Sequence, residues 1–252
     1  YARAQGSPVV GFFPDLIPEL APALDALPFV TCEGCCVADM IQMALWLSIA
    51  GIADCWDDVD RYVRNQWSQM QMTSMDWLEH VGGKNIGQRQ GGEIVNPDPD
   101  AAVGCFAGNA TANDFWPGVG PGSVMMCCTG NCTRALYHVW DNLLQRSDDG
   151  RVRVHLLMDR GSRWVDIRSD LPNHGRVEIR VKEACRTVEV RAPEWIGSAT
   201  SRVFLSVNDE PIEVDWRGRY LVATDLVPGD VVSFQFPVSK RTERHRIGSS
   251  DY

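Results

Sequence analysis

Nine cysteines constrain this 252-residue chain more than any other feature, because they are gathered rather than spread. Three lie in the run CEGCC (residues 32–36), three in CCTGNC (127–132), and Cys55, Cys105 and Cys185 stand apart. Three readings compete. Disulfides meet two objections: nine is an odd number, and adjacent cysteines rarely bridge each other without backbone strain. Inert buried thiols suit the three isolated cysteines. A metal or reactive-thiol site best fits two clusters about 90 residues apart, each holding an adjacent pair, Cys35-Cys36 and Cys127-Cys128.

The same division runs through the charge. Up to Asp149 there are 7 basic and 18 acidic residues, net −11; from Gly150 there are 17 and 15, net +2. Eight cysteines and seven of eight methionines fall before Asp149. Two domains are therefore expected, 1–148 and 149–252, joined near residues 146–150. At 44% hydrophobic residues the chain can bury a sizeable core. A formal charge of −9 argues against a nucleic-acid partner, which needs a basic stripe. No apolar run reaches membrane-spanning length, so no membrane partner is expected. The opening YARAQGSPVV has no start methionine and no basic-then-apolar leader, which reads as a processed product or a fragment.

Periodicity separates the halves. Residues 37–50 (VADMIQMALWLSIA) place Val37, Met40, Ile41, Ala44, Leu45 and Ser48 on one helical face, and Gly51 stops the helix. A second helix is predicted from Asp54 or Asp57, with Val59, Tyr62, Val63, Trp67 and Met70 inward and an Asp60–Arg64 pair at i,i+4. A third is predicted over 131–145, with Ala135, Leu136, Val139, Trp140 and Leu143 inward. The glycine-rich stretch 81–123 shows no period, and a loop of that length in a compact domain is usually functional. Asn109-Ala-Thr111 and Asn131-Cys-Thr133 match glycosylation acceptors, a triplet short enough to recur by chance.

After Gly150 the period becomes two. RVRVHLLM, GRVEIRVK, RTVEVRAP, SRVFLSVN, PIEVDW, YLVATDL and VVSFQFPV read as short strands between turn residues. The fold class is α+β: a helical domain followed by an antiparallel β-sandwich-like domain.

Position gives the cysteine pairs their chemistry. Each directly precedes a predicted helix, Cys35-Cys36 before Val37 and Cys127-Cys128 before the cap-like turn Thr129-Gly-Asn131. Helix N-termini present unpaired N–H groups that favour thiolate over thiol. Thiolates gathered from two such ends repel unless a cation balances them. Zinc does so, through tetrahedral sulfur, nitrogen and carboxylate ligands, with about 10–16 kcal/mol of binding in zinc peptides.

Glu33-Gly-Cys35 ahead of one helix, with Cys127-Cys128 opening another, resembles glycoside hydrolase family 127, which contains the β-L-arabinofuranosidases. The likeness continues through TGN, the ALYHVWDNL helix and the Ala192-Pro-Glu-Trp195 turn. It implies a zinc ion held by Glu33, Cys35, Cys127 and Cys128, with Cys127 the nucleophile of a retaining mechanism on an arabinofuranoside-containing glycan. The family's acid/base glutamate lies some fifteen residues ahead of the Glu-x-Cys; here Asp15 stands near that place and Glu19 slightly closer. The resemblance also implies an (α/α)6 barrel of paired helices, of which this chain has room for about half. His80, His138, His155, His174 and His245 receive no role. Two other readings stay open: a non-catalytic carbohydrate-binding or zinc-stabilised scaffold module, and a thiol-redox or iron site. A homo-oligomer is compatible with the sequence, and free thiolates fit a reducing compartment such as the cytoplasm.

Overall fold

In the computed structural model, residues 10–14, 31–74, 76, 102–110, 125–196, 202–240, 242–247 and 250–251 are described. The chain divides into two compact units: residues up to His138 with 243–252, and Val139–Thr242. Among the described residues no helix is long and apolar enough to cross a membrane.

The first unit is built on helices. Strand β1 (Cys32–Glu33) runs straight into helix α1 (Gly34–Ile49), which buries Val37, Ala38, Ile41, Ala44 and Leu45. Gly51 ends the helix as predicted, at a φ of 69° that costs glycine little. The start differs from expectation. Patterning points to a start at Val37, the first core residue, whereas Glu33 is the N-cap and both Cys35 and Cys36 already lie in the first turn.

Helix α2 (Trp56–Tyr62) carries Asp57 and Asp58 in its first turn, where the positive end of the helix dipole favours them. It passes into a wider π-type turn, Val63–Trp67, interrupted at Asn65 (φ −105°, ψ −108°). The predicted inward stripe of Val59, Tyr62, Val63, Trp67 and Met70 is buried, and Arg64 Nε reaches Asp60 Oδ1 at 2.7 Å. Strand β2 (Asn109–Ala110) pairs antiparallel with β1. Helix α3 is Met126–Asn142, beginning five residues before the predicted start. Cys128, Cys132, Ala135 and Val139 form its buried face, while Leu136 and Trp140 are exposed, contrary to expectation. The true face is set from Cys128 onward, and it leaves positions 136 and 140 on the flank.

The second unit is sheet-rich. Its strands are β3 (Leu144–Arg146), β4 (Arg151–Val154), β5 (Arg160–Gly161), β6 (Val165–Ser169), β7 (Arg176–Val181), β8 (Cys185–Arg191), β9 (Phe204–Val207), β10 (Glu210–Pro211), β11 (Asp215–Arg217), β12 (Tyr220–Leu226) and β13 (Val231–Gln235). A short hairpin, β14 (Arg246–Ile247) with β15 (Ser250–Asp251), closes the described chain. One sheet runs β10-β9-β13-β7-β6-β5 and the other β11-β12-β8-β4-β3. Alternate residues of both are buried: Val165, Ile167, Val177, Ile179, Val232 and Phe234 in the first, Val152, Val154, Val188, Val190, Leu221 and Ala223 in the second. Period-two patterning of this kind gives each sheet one apolar face. The sheets depart from expectation in several places. Strand β3 begins at Leu144, inside the stretch expected to be helix to residue 145, and β5 and β6 were not among the expected strands. In addition, β4 pairs with β8 in parallel, and PIEVDW divides between β10 and β11.

The polar face of β8 is also buried. Glu189 is fully enclosed and accepts from Arg153 Nε at 2.6 Å and Arg217 Nη1 at 3.1 Å. His155 is held between Tyr220 Oη (2.6 Å from Nδ1) and Gln145 Oε1 (3.1 Å from Nε2). A neutral imidazole satisfies both, donating from Nε2 and accepting at Nδ1. Burial, with the charges of Arg153 and Arg191 beside it, pushes its pKa down to about 3.

This shift has a defined sign. Between pH 6.5 and about 3 the unfolded chain takes up a proton at residue 155 that the folded chain refuses, so stability falls as pH falls through that window. Urea titrations across it are expected to show a loss for the native chain approaching about 1.4 kcal/mol per pH unit from this group, absent from His155→Gln. Parallel curves for the two proteins would contradict the neutral buried imidazole.

Candidate metal centre

The site lies where two helices start. The β1–β2 ladder aligns Cys32 with Ala110 and Glu33 with Asn109, and Gly34 N donates to Gly108 O at 2.9 Å, which fixes the entry into α1. From the other side, Thr129 Oγ1 donates to Phe106 O at 3.2 Å and ties the first turn of α3 to the same segment. Glu33 is an N-cap whose carboxylate makes no capping hydrogen bond, so its oxygens are left for the sulfurs.

Those sulfurs converge. Cys35 Sγ lies 3.5 Å from Cys128 Sγ, Cys127 Sγ lies 3.8 Å from Cys128 Sγ, and Cys128 Sγ is 3.4 Å from Glu33 Oε1. All four donor atoms of Glu33, Cys35, Cys127 and Cys128 fall within 4.8 Å of one another. Zinc–sulfur bonds of about 2.3 Å in a tetrahedron separate sulfurs by about 3.8 Å, so the donor set has the composition and spacing that a zinc ion takes. Burial grades across the site. Cys128 is enclosed, Glu33 and Cys35 are half-buried, and Cys127 is exposed.

The surroundings of Cys35 and Cys128 favour the neutral thiol. Burial pushes the Cys128 thiol far above the usual range, with the neighbouring sulfurs adding to the effect. Burial also raises Cys35, and the hydrogen bond from Asn131 works in the opposite direction. A divalent cation reverses this balance, because a coordinated thiol gives up its proton outright. Cys132, whose sulfur donates to Gly34 O at 3.3 Å, is pushed up to about 12, chiefly by burial, and is a core thiol.

Two residues of the site carry no metal-binding chemistry of their own and escaped the sequence reading. Gly34 permits the close approach of the helices: a Cβ there would stand 2.9 Å from Ala107 O, 3.1 Å from Cys128 Cβ and 3.2 Å from Cys132 Sγ. Its only sequence signal is a small residue between ligand-type side chains. Asn131 donates from Nδ2 to Cys35 Sγ at 3.1 Å. Its signal is the spacing of three and four from the cysteine pair, which puts it on the same helical face. Asp15, Glu19 and His80 lie outside the described residues. His138 packs against Trp46, with ring centroids 5.1 Å apart, and His155 is committed to the second unit.

Comparison with solved structures agrees with the fold. The chain is similar to a structure described as the family 127 β-arabinofuranosidase (17% identity, TM-score 0.55, covering 84% of this chain and 33% of that one). It is also similar to the family 127 β-L-arabinofuranosidase Ara127N-Se from Geobacillus stearothermophilus T6 (15%, TM-score 0.53, 87% and 34%). A third structure, described as a glycoside hydrolase, matches at 16% identity and a TM-score of 0.53, with 84% and 34% covered. This chain thus spans about a third of the length of each neighbour. No protein-family model and no curated protein matches the sequence. At these identities the likeness establishes a shared fold.

The contact at Gly34 yields a direct test. Gly34→Ala is expected to cost about 1–3 kcal/mol in urea unfolding, since the Ala107 carbonyl is backbone that cannot move aside cheaply. An unchanged midpoint would mean that the two helix starts are not held this closely.

Proposed function

We propose that this chain carries the metal–thiolate part of a retaining glycoside hydrolase acting on β-L-arabinofuranosides. The observation that carries the reading is the convergence of one carboxylate and three sulfurs within 4.8 Å, with Cys127 the exposed sulfur. The fold shared with family 127 structures supports it. In this reading Glu33, Cys35, Cys127 and Cys128 hold zinc, and the helical residues within 1–148 form part of an (α/α)6 barrel followed by a β-sandwich-like domain over 149–252.

The chemistry assigns a role to each residue. A bound zinc ion would supply the positive charge that keeps the sulfurs deprotonated at neutral pH. Cys127 Sγ attacks the anomeric carbon of the furanoside while the glycosidic C–O bond breaks, and a carboxylic acid protonates the departing oxygen. A thioglycosyl group on Cys127 results. Water then attacks the same carbon, the carboxylate accepts its proton, and the C–S bond breaks to return Cys127 as thiolate, with net retention. Asp15 or Glu19 is proposed for the acid/base. Cys35 and Cys128, less exposed, hold the site together. Because the chain spans about a third of its neighbours' length, a non-catalytic carbohydrate-binding module stabilised by the same site is the second reading.

Cys127→Ser separates the two. The glycosidase reading predicts that hydrolysis of an aryl β-L-arabinofuranoside falls by at least about 10³-fold while the circular-dichroism spectrum is unchanged. Turnover equal to that of the native chain would remove Cys127 from the reaction. Glycan binding without turnover in either protein would favour the module.

A further inference from the structure

Three sulfurs of similar chemistry meet at the site, yet only one of them, Cys127, is free for substrate in the reading above. Something must distinguish them. The structure gives each a different surrounding: Cys128 is enclosed, Cys127 is exposed, and Cys35, only half-buried, accepts a hydrogen bond from Asn131 Nδ2 at 3.1 Å. Among the described residues no nitrogen donor reaches Cys127, whose sulfur contacts Cys128 Sγ at 3.8 Å.

We propose that Asn131 is a positioning residue that makes Cys35 the anchored ligand and leaves Cys127 the reactive sulfur; this rests on the metal-site reading above. An amide N–H pointed at a thiolate withdraws electron density from the sulfur and lowers its nucleophilicity while fixing its direction toward the metal. Half-exposed Cys35 needs this protection, and buried Cys128 does not. The residue type follows from charge. The site already gathers a carboxylate and three sulfurs, so aspartate at position 131 would add repulsion, whereas asparagine donates and stays neutral. Its placement follows from α3, since residue 131 lies one turn beyond Cys127 and Cys128 on the same face and so reaches across to α1. The same Nδ2 is the atom that glycosylation of Asn131-Cys-Thr133 would modify, and here it is engaged by sulfur.

The test compares the native chain with Asn131→Ala and the isosteric Asn131→Asp, each checked for folding by circular dichroism. Zinc affinity is read by competition with a chromophoric chelator, and the order of cysteine modification by iodoacetamide is read by mass spectrometry of the zinc-loaded protein. Among the three ligand cysteines of the native chain, Cys127 is expected to react first and Cys35 slowly. In the variants Cys35 is expected to approach the rate of Cys127, and the zinc dissociation constant to rise by about 10–100-fold. Folded variants with native zinc affinity and a still-protected Cys35 would overturn the assignment, as would a native chain in which Cys35 reacts before Cys127. A native chain that binds no zinc would overturn the metal-site reading itself, and that outcome is distinct because it appears before any substitution.

Discussion

The start of two helices in the first unit poses a like-charge problem on which the rest of the site depends. Glu33, Cys35, Cys127 and Cys128 bring four anionic-type donors within 4.8 Å, an arrangement that repels itself if ionised. As neutral thiols the sulfurs are tolerated, and burial drives Cys35 and Cys128 in that direction. A divalent cation resolves the conflict differently, turning repulsion into coordination. The backbone is arranged for convergence in either state: Gly34 removes the side chain that would keep the helices apart, and the 106–110 segment ties both first turns together.

This constraint explains why the local sequence looks as it does. Glu33 caps α1 with its backbone but spends no side-chain hydrogen bond on the task, unlike the usual serine, threonine or aspartate cap. Exposure runs from enclosed Cys128 to exposed Cys127, which in the proposed reading separates holding the site from meeting a substrate. The sheet-rich unit shows a comparable economy of charge. Glu189, fully buried, is matched by Arg153 and Arg217, and His155 is kept neutral between Tyr220 and Gln145.

Much of this was legible in the sequence, for physical reasons. The pairs Cys35-Cys36 and Cys127-Cys128 stood out because adjacent thiols near helix starts have few inert uses, whereas Glu33, and Cys35 rather than Cys36, came from the family resemblance alone. The α1 and α2 stripes and most strands followed from periods of 3.6 and two. The helix starts did not, because hydrophobic patterning begins at the first core residue while the backbone turns helical earlier, at Gly34 and Met126. Leu136 and Trp140 misled because apolar character does not say which flank of a helix is covered; Trp140 lies beneath the Arg160 guanidinium, 4.7 Å from its ring centroid. Strands β5 and β6 escaped because two residues and the short VDIRS carry too little alternation to stand out, and the parallel β4–β8 pair escaped because alternation within a strand carries no information about its partner. Gly34 and Asn131 became visible only once two segments 97 positions apart were brought together.

The most direct measurement is X-ray absorption at the zinc edge on the chain loaded with one equivalent of zinc. Three sulfur scatterers at about 2.3 Å and one oxygen at about 2.0–2.2 Å are expected. A shell of nitrogen and oxygen alone, or failure to retain zinc stoichiometrically, would contradict the proposed coordination.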